Sequence, residues 1–109
     1  MDYNRLLLTT DRIYDYIQTK YDLTRTLYNV LYIISQMTVE QDKTYLINYF
    51  QTTDTSIRQY FYILSKKKYI VSKSTSGKER GLYTVTMRGK KVIQDVDIFA
   101  DTQLRSILF

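Results

Sequence analysis

The spacing of apolar residues along this chain predicts a pair of short helices over residues 43–68. Ile57, Phe61 and Leu64 lie four and three residues apart, which is the spacing of side chains on one face of a helix. Thr53 or Asp54 precedes this run and is suited to the N-cap position, where a side-chain oxygen accepts from a free backbone N–H. A polar break at residues 51–53 separates this helix from the shorter one before it. The pattern therefore predicts two helices joined by a tight turn.

Two longer helices are predicted before this pair. Residues 5–21 have a wide apolar stripe, and residues 23–37 have a more regular one. The stripe of the first helix consists of Leu6, Thr10, Ile13 and Ile17, with Leu7, Tyr14 and Tyr21 beside it. The face of the second consists of Leu27, Val30, Leu31 and Ile34. We expect Asp22 to separate the two helices and to cap the second, which the regular pattern marks as the central helix of the core.

After residue 68 the apolar period changes to two, which is typical of strands. Residues 69–73 and 82–87 are rich in β-branched and aromatic side chains, and the polar residues 74–81 lie between them. This arrangement predicts a β-hairpin with a long basic tip. A final helix is expected over residues 88–109, with Thr86 as a candidate N-cap and a stripe formed by Ile93, Val96, Ala100, Leu104 and Ile107.

Charge is distributed unevenly along the 109 residues, which are enough for one domain. The net charge is +5, yet residues 53–91 contain ten Lys or Arg and only two acidic residues, which gives +8. The remaining residues contain six basic and nine acidic groups, which gives −3. A lysine-rich surface can simply keep a protein in solution. Because the basic residues cluster on the predicted helix and hairpin, however, the distribution favours binding to a polyanion.

Composition excludes several classes of chemistry. The chain has no Cys and no His, so it lacks disulfides, thiolate metal sites and the commonest general base. Asp95, Asp97 and Asp101 fall on the last helix at spacings that do not converge, so we predict no metal site. No catalytic constellation or cofactor motif is present, and the protein is not predicted to be an enzyme. With no secretory signal and no apolar run of about 20 residues, we expect a cytoplasmic protein without a membrane span.

The order of elements, together with two short motifs, resembles the MarR family of transcriptional regulators and its SarA-like branch. The motifs are Lys-Glu-Arg-Gly at residues 78–81 and Thr-Val-Thr-Met-Arg-Gly at residues 84–89, and the similarity covers about residues 27–92. The resemblance implies a mainly α fold with a small β-hairpin, namely a winged helix-turn-helix with N- and C-terminal dimerisation helices. Residues 53–66 would be the recognition helix and residues 69–87 the wing, in which Glu79 orients Arg80 into the minor groove.

Two groups of residues are candidates for DNA contact. Arg58 can form two hydrogen bonds with guanine, and Gln59 can do the same with adenine. The alternative is an ordinary solvated helix face for the recognition-helix candidates and a solvated loop for the wing candidates. Lys66, Lys67 and Lys68 can bind phosphates or simply place favourable charge at a helix C-terminus. The recognition-helix candidates are Thr53, Thr55, Ser56, Arg58, Gln59, Tyr62 and Lys66, and the wing candidates are Lys73, Lys78 and Arg80.

The apolar stripes of the first and last helices predict a homodimer, because a soluble monomer rarely exposes so wide an apolar surface. The candidate interface residues are Leu6, Ile13, Ile17, Val96, Ala100, Leu104 and Ile107.

The leading functional hypothesis is a dimeric transcriptional regulator, more specifically a repressor, that binds an inverted-repeat, A·T-rich site in double-stranded DNA. One alternative is a plasmid or phage accessory protein for partition or replication that binds centromere-like repeats through the same fold. Another is a winged-helix module for protein interaction, whose affinity for DNA would be weak and insensitive to salt. The sequence identifies no small-molecule effector.

Overall fold

The computed structural model describes residues 2–36, 43–72 and 83–108, and within them five helices and two strands follow one another. The elements are α1 (Tyr3–Tyr21), α2 (Arg25–Gln36), α3 (Lys43–Phe50), α4 (Asp54–Lys66), β1 (Ile70–Ser72), β2 (Tyr83–Val85) and α5 (Met87–Leu108). The strands pair antiparallel, with Ile70 opposite Val85 and Ser72 opposite Tyr83. The prediction of a mainly α fold with a small antiparallel pair of strands is therefore confirmed.

Helix boundaries follow the capping side chains, with one correction to the sequence-based prediction. Asp22 does not cap α2. Its backbone is left-handed, at φ 55°, and its N–H donates to the carbonyl of Gln18, so Asp22 ends α1 instead. The cap of α2 is Thr24, whose Oγ1 accepts from the N–H of Leu27 at 3.2 Å. The pattern located the break correctly and assigned the cap two residues too early.

The hydrophobic core lies between α2, α3, α4, the two strands, the end of α1 and the first half of α5. All four predicted apolar positions of α2 are buried, which confirms it as a central core helix. The predicted inner face of α4 is buried as well. Full burial of an aliphatic or aromatic side chain contributes about 1.5–3 kcal/mol to folding. The largest fully buried side chains are Ile17, Leu23, Val30, Leu31, Leu46, Ile57 and Leu64.

The first turn of α5 packs closely against the segment that follows α4. The Thr86 N–H donates to the carbonyl of Tyr69 at 2.9 Å, and Thr86 Oγ1 donates to the carbonyl of Lys68 at 2.7 Å. Thr86 Oγ1 also accepts from the N–H of Gly89 at 3.1 Å, which confirms Thr86 as the N-cap of α5. A Cβ at Gly89 would lie 2.4 Å from the Tyr69 carbonyl oxygen and 2.7 Å from Val85 Cγ1. Only glycine allows this approach.

Helices α1 and α5 run antiparallel and continue past the core. The Tyr16 and Phe99 rings stack with centroids 3.9 Å apart, and Arg12 Nη1 donates to Gln103 Oε1 at 3.4 Å. Among the described residues, the apolar core includes none of α1 before Ile13 and none of α5 after Val96. We call residues 3–12 and 99–107, which form this projecting helix pair, the arm.

Candidate nucleic-acid interface

The start of α4 is fixed by its cap and by the turn before it. Gln51, which lies between α3 and α4, is in the left-handed region at φ 50°. Thr53 Oγ1 accepts from the N–H of Ser56 at 3.1 Å, so the predicted N-cap is confirmed. The same hydroxyl donates to Ser56 Oγ at 3.1 Å. Two candidate contact residues, Thr53 and Ser56, are thus already bonded to each other, and Ser56 is half-buried.

The remaining candidates on α4 share one exposed surface, which we call the polar face of α4. The inner side of the helix buries Ile57, Phe61 and Leu64, and the helix is therefore held against the core by that side. Tyr62 is a large aromatic residue with 62% of its surface exposed. The polar face consists of Thr55, Arg58, Gln59, Tyr62 and Lys66, all of them exposed.

Arg58, the strongest candidate for base contact, has a partner on its own helix. Its Nε lies 2.7 Å from Asp54 Oδ2, one turn earlier, and both side chains are exposed. An exposed pair at this spacing stabilises a helix by only a few tenths of a kcal/mol. The ion pair uses Nε, and the two Nη groups of the guanidinium retain the paired geometry that suits a guanine edge.

The three lysines at the end of α4 have different surroundings. Lys66 Nζ lies 5.5 Å from the centre of the Tyr62 ring, within range of a cation–π contact. Lys67 is half-buried, with Nζ 3.4 Å from Asp22 Oδ2. Lys68 is exposed and in the left-handed region, at φ 64°. Lys66 and Lys68 therefore present their charge to solvent, whereas the charge of Lys67 helps to hold α4 to the end of α1.

The predicted wing residues Lys73, Lys78 and Arg80 lie outside the described residues. The structure does define the base of this segment. Ile70 and Val85 are buried opposite each other, and the Tyr83 ring lies 4.5 Å from that of Phe61, centre to centre. Val71, Ser72 and Thr84 are exposed. The two strands are thus anchored directly on the inner side of α4.

The candidate dimer residues fall into two groups. Ile17 and Val96 are buried within this chain's own core, so the prediction that they contact a second subunit was wrong. Their apolar spacing was read correctly, but the partner is intramolecular. Ile13 is half-buried and packs against the core. The remaining candidates are half-buried in the arm, namely Leu6, Ala100, Leu104 and Ile107. Leu7 and Leu8, which were not among the candidates, keep 64% and 67% of their surface exposed.

An unpredicted polar cluster joins α1 to α5 at Asp95. Asp95 Oδ2 accepts from Tyr16 Oη at 2.8 Å, from Lys20 Nζ at 3.0 Å and from Tyr21 Oη. The hydrogen bond from Tyr21 does most to lower the pKa of Asp95, and those from Tyr16 and Lys20 add to it. Burial raises the pKa of Tyr21 to about 12, with a further contribution from Asp95. Asp95 is at least 74 residues from each of its three partners, so no local spacing indicated this cluster.

A second unpredicted feature is a basic concavity of about 330 Å³ next to this cluster. The end of α1, the residue after the α4 turn and the start of α5 form its walls. Arg88 lies over the Tyr69 ring, with its guanidinium carbon 5.5 Å from the ring centre. The lining residues are Lys20, Tyr21, Tyr69, Arg88, Lys91 and Val92.

In the parts of the chain that the structure describes, no three potential metal-ligating side chains come together. No helix there combines the length and apolar character needed to cross a bilayer. Comparison with protein-family models and with curated proteins found no match.

Proposed function

We propose that this chain is a homodimeric, sequence-specific DNA-binding protein that acts as a transcriptional repressor and resembles the MarR and SarA-like regulators. In this proposal α3 and α4 form the helix-turn-helix of a winged-helix domain, and residues 69–87 form the wing. The proposal depends mainly on the polar face of α4. An exposed Thr, Arg, Gln, Tyr and Lys share one side of a helix whose other side is fixed in the core.

The chemistry of this face suits the major groove. The groove admits an α-helix and presents donor and acceptor patterns that differ between base pairs. Arg58 matches the two acceptors of guanine, and Gln59 matches the donor and acceptor of adenine. Lys66 and Lys68 add exposed positive charge at the end of the same helix, where phosphates would lie beside the groove.

The arm supplies the proposed dimer contact. Leu7 and Leu8 are exposed on α1, and Ile98 is 62% exposed on α5, just before the α5 part of the arm. A two-fold dimer built on the arm would cover such side chains and pair two copies of α4. Its half-sites should then be related by a dyad and lie about one helical turn of DNA apart. A basic wing at each end would favour A·T-rich flanks, because a narrow minor groove has the more negative potential.

The test is a competition series on the cognate site and its single-base mutants. Arg58→Ala and Gln59→Ala should each cost about 1–3 kcal/mol on the cognate site and relax preference at particular base pairs. The matched control is Arg25→Ala. Arg25 is also exposed and also pairs with an aspartate, with Nη2 2.9 Å from Asp11 Oδ1, but it lies in α2 and belongs neither to the polar face of α4 nor to the arm.

Two results would contradict the proposal. One is unchanged base preference in both α4 variants, which would remove α4 as the recognition helix. The other is an affinity for duplex DNA that barely changes between low and physiological salt, because phosphate contacts release counterions and make binding depend on salt. In that case the protein-interaction module would become the better hypothesis.

A further inference from the structure

The basic concavity is assembled by the fold rather than by one helix. Thr86 bonds to the backbone of Lys68 and Tyr69, and the missing Cβ of Gly89 lets α5 lie directly against the Tyr69 carbonyl. Arg88 and Lys91 are three residues apart on α5 and therefore share a face. Lys20, from the end of α1, lines the same concavity. Three cationic side chains from two helices thus surround one recess with a tyrosine wall.

Within the described residues, this recess contains unbalanced positive charge. Lys20 is paired with Asp95, whose Oδ2 already accepts from three donors. No described carboxylate forms an ion pair with Arg88 or Lys91, and no acidic residue is among the lining residues. The N-terminus of α5 adds further positive potential from its helix dipole. A recess lined by charge of one sign concentrates the field and attracts counterions of opposite sign.

A second recess beside α1 provides an internal comparison. A recess of about 350 Å³ there is lined by Asp11, Tyr14, Asp15, Gln18 and Arg25. Arg25 also lies over a tyrosine, with its guanidinium carbon 4.3 Å from the Tyr14 ring centre. In that recess, however, Arg25 Nη2 lies 2.9 Å from Asp11 Oδ1. The same arginine–tyrosine arrangement therefore has its own carboxylate in that recess and, among the described residues, none in the basic concavity.

We propose that the basic concavity binds a phosphate group. Arginine and lysine together match a phosphate well, because the guanidinium donates in a planar fork while the ammonium acts as a compact charge. Arg88 and Lys91 supply the main donors, and Lys20 supplies a third that it shares with Asp95. This site is separate from the polar face of α4 and does not depend on base recognition. The phosphate belongs either to the DNA backbone beside the α4 contact or to a free phosphorylated compound.

The test compares two double variants that each remove two positive charges. Arg88→Gln with Lys91→Gln alters the concavity. Lys90→Gln with Arg25→Gln is the control, because both of these residues are exposed, neither lines the concavity and neither belongs to the arm. All four side chains are exposed, so both proteins should fold, and thermal unfolding checks this.

In the first experiment, inorganic pyrophosphate is titrated at constant ionic strength while backbone amide NMR shifts are recorded. Saturable shifts should centre on Lys20, Tyr21, Arg88 and Lys91 in the wild type and the control. The concavity variant should bind at least tenfold more weakly. Arg58→Ala should bind pyrophosphate normally, so that failure of base recognition and failure of this site can be told apart.

The second experiment measures binding to a duplex of arbitrary sequence as a function of salt concentration. If the DNA backbone is the source of the phosphate, the concavity variant should lower the slope of log affinity against log salt by about 0.9 for each lost contact, relative to the control. Loss of pyrophosphate binding with an unchanged slope would identify a free phosphorylated compound. The proposal is overturned if the two double variants behave alike in both experiments.

Discussion

Leu31, in the middle of α2, is fully buried, whereas Leu7 and Leu8, near the start of α1, remain 64% and 67% exposed. All three lie in helices with an apolar stripe, but the stripes have different partners. The stripe of α2 meets α4, β2 and α5 in the same chain. Before Ile13, the stripe of α1 lies outside the apolar core of the described residues, and α1 packs there on α5. The elements packed around α2, which we call the core end, therefore bury their apolar faces within one chain. The arm leaves part of its own apolar surface exposed.

The comparison shows what periodicity can and cannot predict. Spacing identifies which residues share a helix face, and it does so equally well at both ends of the molecule. It carries no information about what covers that face. A second copy of the chain is the partner we propose for the arm.

The largest effect is expected from truncating a leucine at each end. Leu31→Ala should lower the free energy of unfolding by about 2–5 kcal/mol, because it leaves a cavity in a packed core. Leu7→Ala should change it by less than about 0.5 kcal/mol at protein concentrations where the chain is monomeric. Urea unfolding of both variants at low concentration measures the difference. Similar losses in the two variants would mean that the arm is packed as tightly as the core.

The second effect concerns association of the arm. Leu104→Glu or Ile107→Glu should weaken dimerisation at least tenfold, or about 1.4 kcal/mol, since a charge would be placed in or beside an apolar interface. Leu7→Glu should do the same with less disturbance inside the protomer, because Leu7 is already exposed. Sedimentation at micromolar concentration gives the mass. A monomeric wild type would remove the dimer from the proposed function.

Much of the core end could be predicted from sequence because its signals are local. The Thr53 cap, the turn at residues 51–53 and the buried face of α4 all lie within a few residues of one another. The assignment of Ile17 and Val96 to a dimer failed because a stripe gives a direction and no partner. The Asp95 cluster and the basic concavity were missed for a related reason. Their side chains are brought together only by the packing of α1 on α5 and of α5 on Tyr69.

The third effect tests the junction between the two ends, where Asp95 holds α1 to α5. Asp95→Asn should cost about 1–2 kcal/mol at neutral pH, since it weakens hydrogen bonds to a charged acceptor. The pKa of Asp95 is lowered in the folded state, so its contribution is present above the unfolded pKa and is lost as the pH falls through the folded pKa. The wild type and the variant should therefore converge in stability below about pH 4.

Alkaline pH gives the matching result at Tyr21. Its pKa is raised to about 12, so the neutral phenol is stabilised in the folded state. That contribution is present below the unfolded pKa of about 10 and is lost as the pH rises toward the folded value. Urea unfolding across the pH range records both limits. A difference between the wild type and Asp95→Asn that did not change with pH would show that the carboxylate charge plays no part in the junction.

The smallest effect is expected within the core end, at Lys68, which adopts a left-handed backbone at φ 64°. For a residue with a Cβ this conformation costs about 1–2 kcal/mol, whereas glycine adopts it freely. Lys68→Gly should relieve that strain, but the greater freedom of glycine in the unfolded chain offsets about 0.5–1 kcal/mol of the gain. The net result should be a stabilisation of roughly a few tenths to 1 kcal/mol.

Lys66→Gly is the matched control, because Lys66 is the last residue of α4 and glycine is unfavourable in a helix. The two substitutions should shift the urea midpoint in opposite directions, and a loss of stability in both would mean that the turn after α4 is held by the Lys68 side chain.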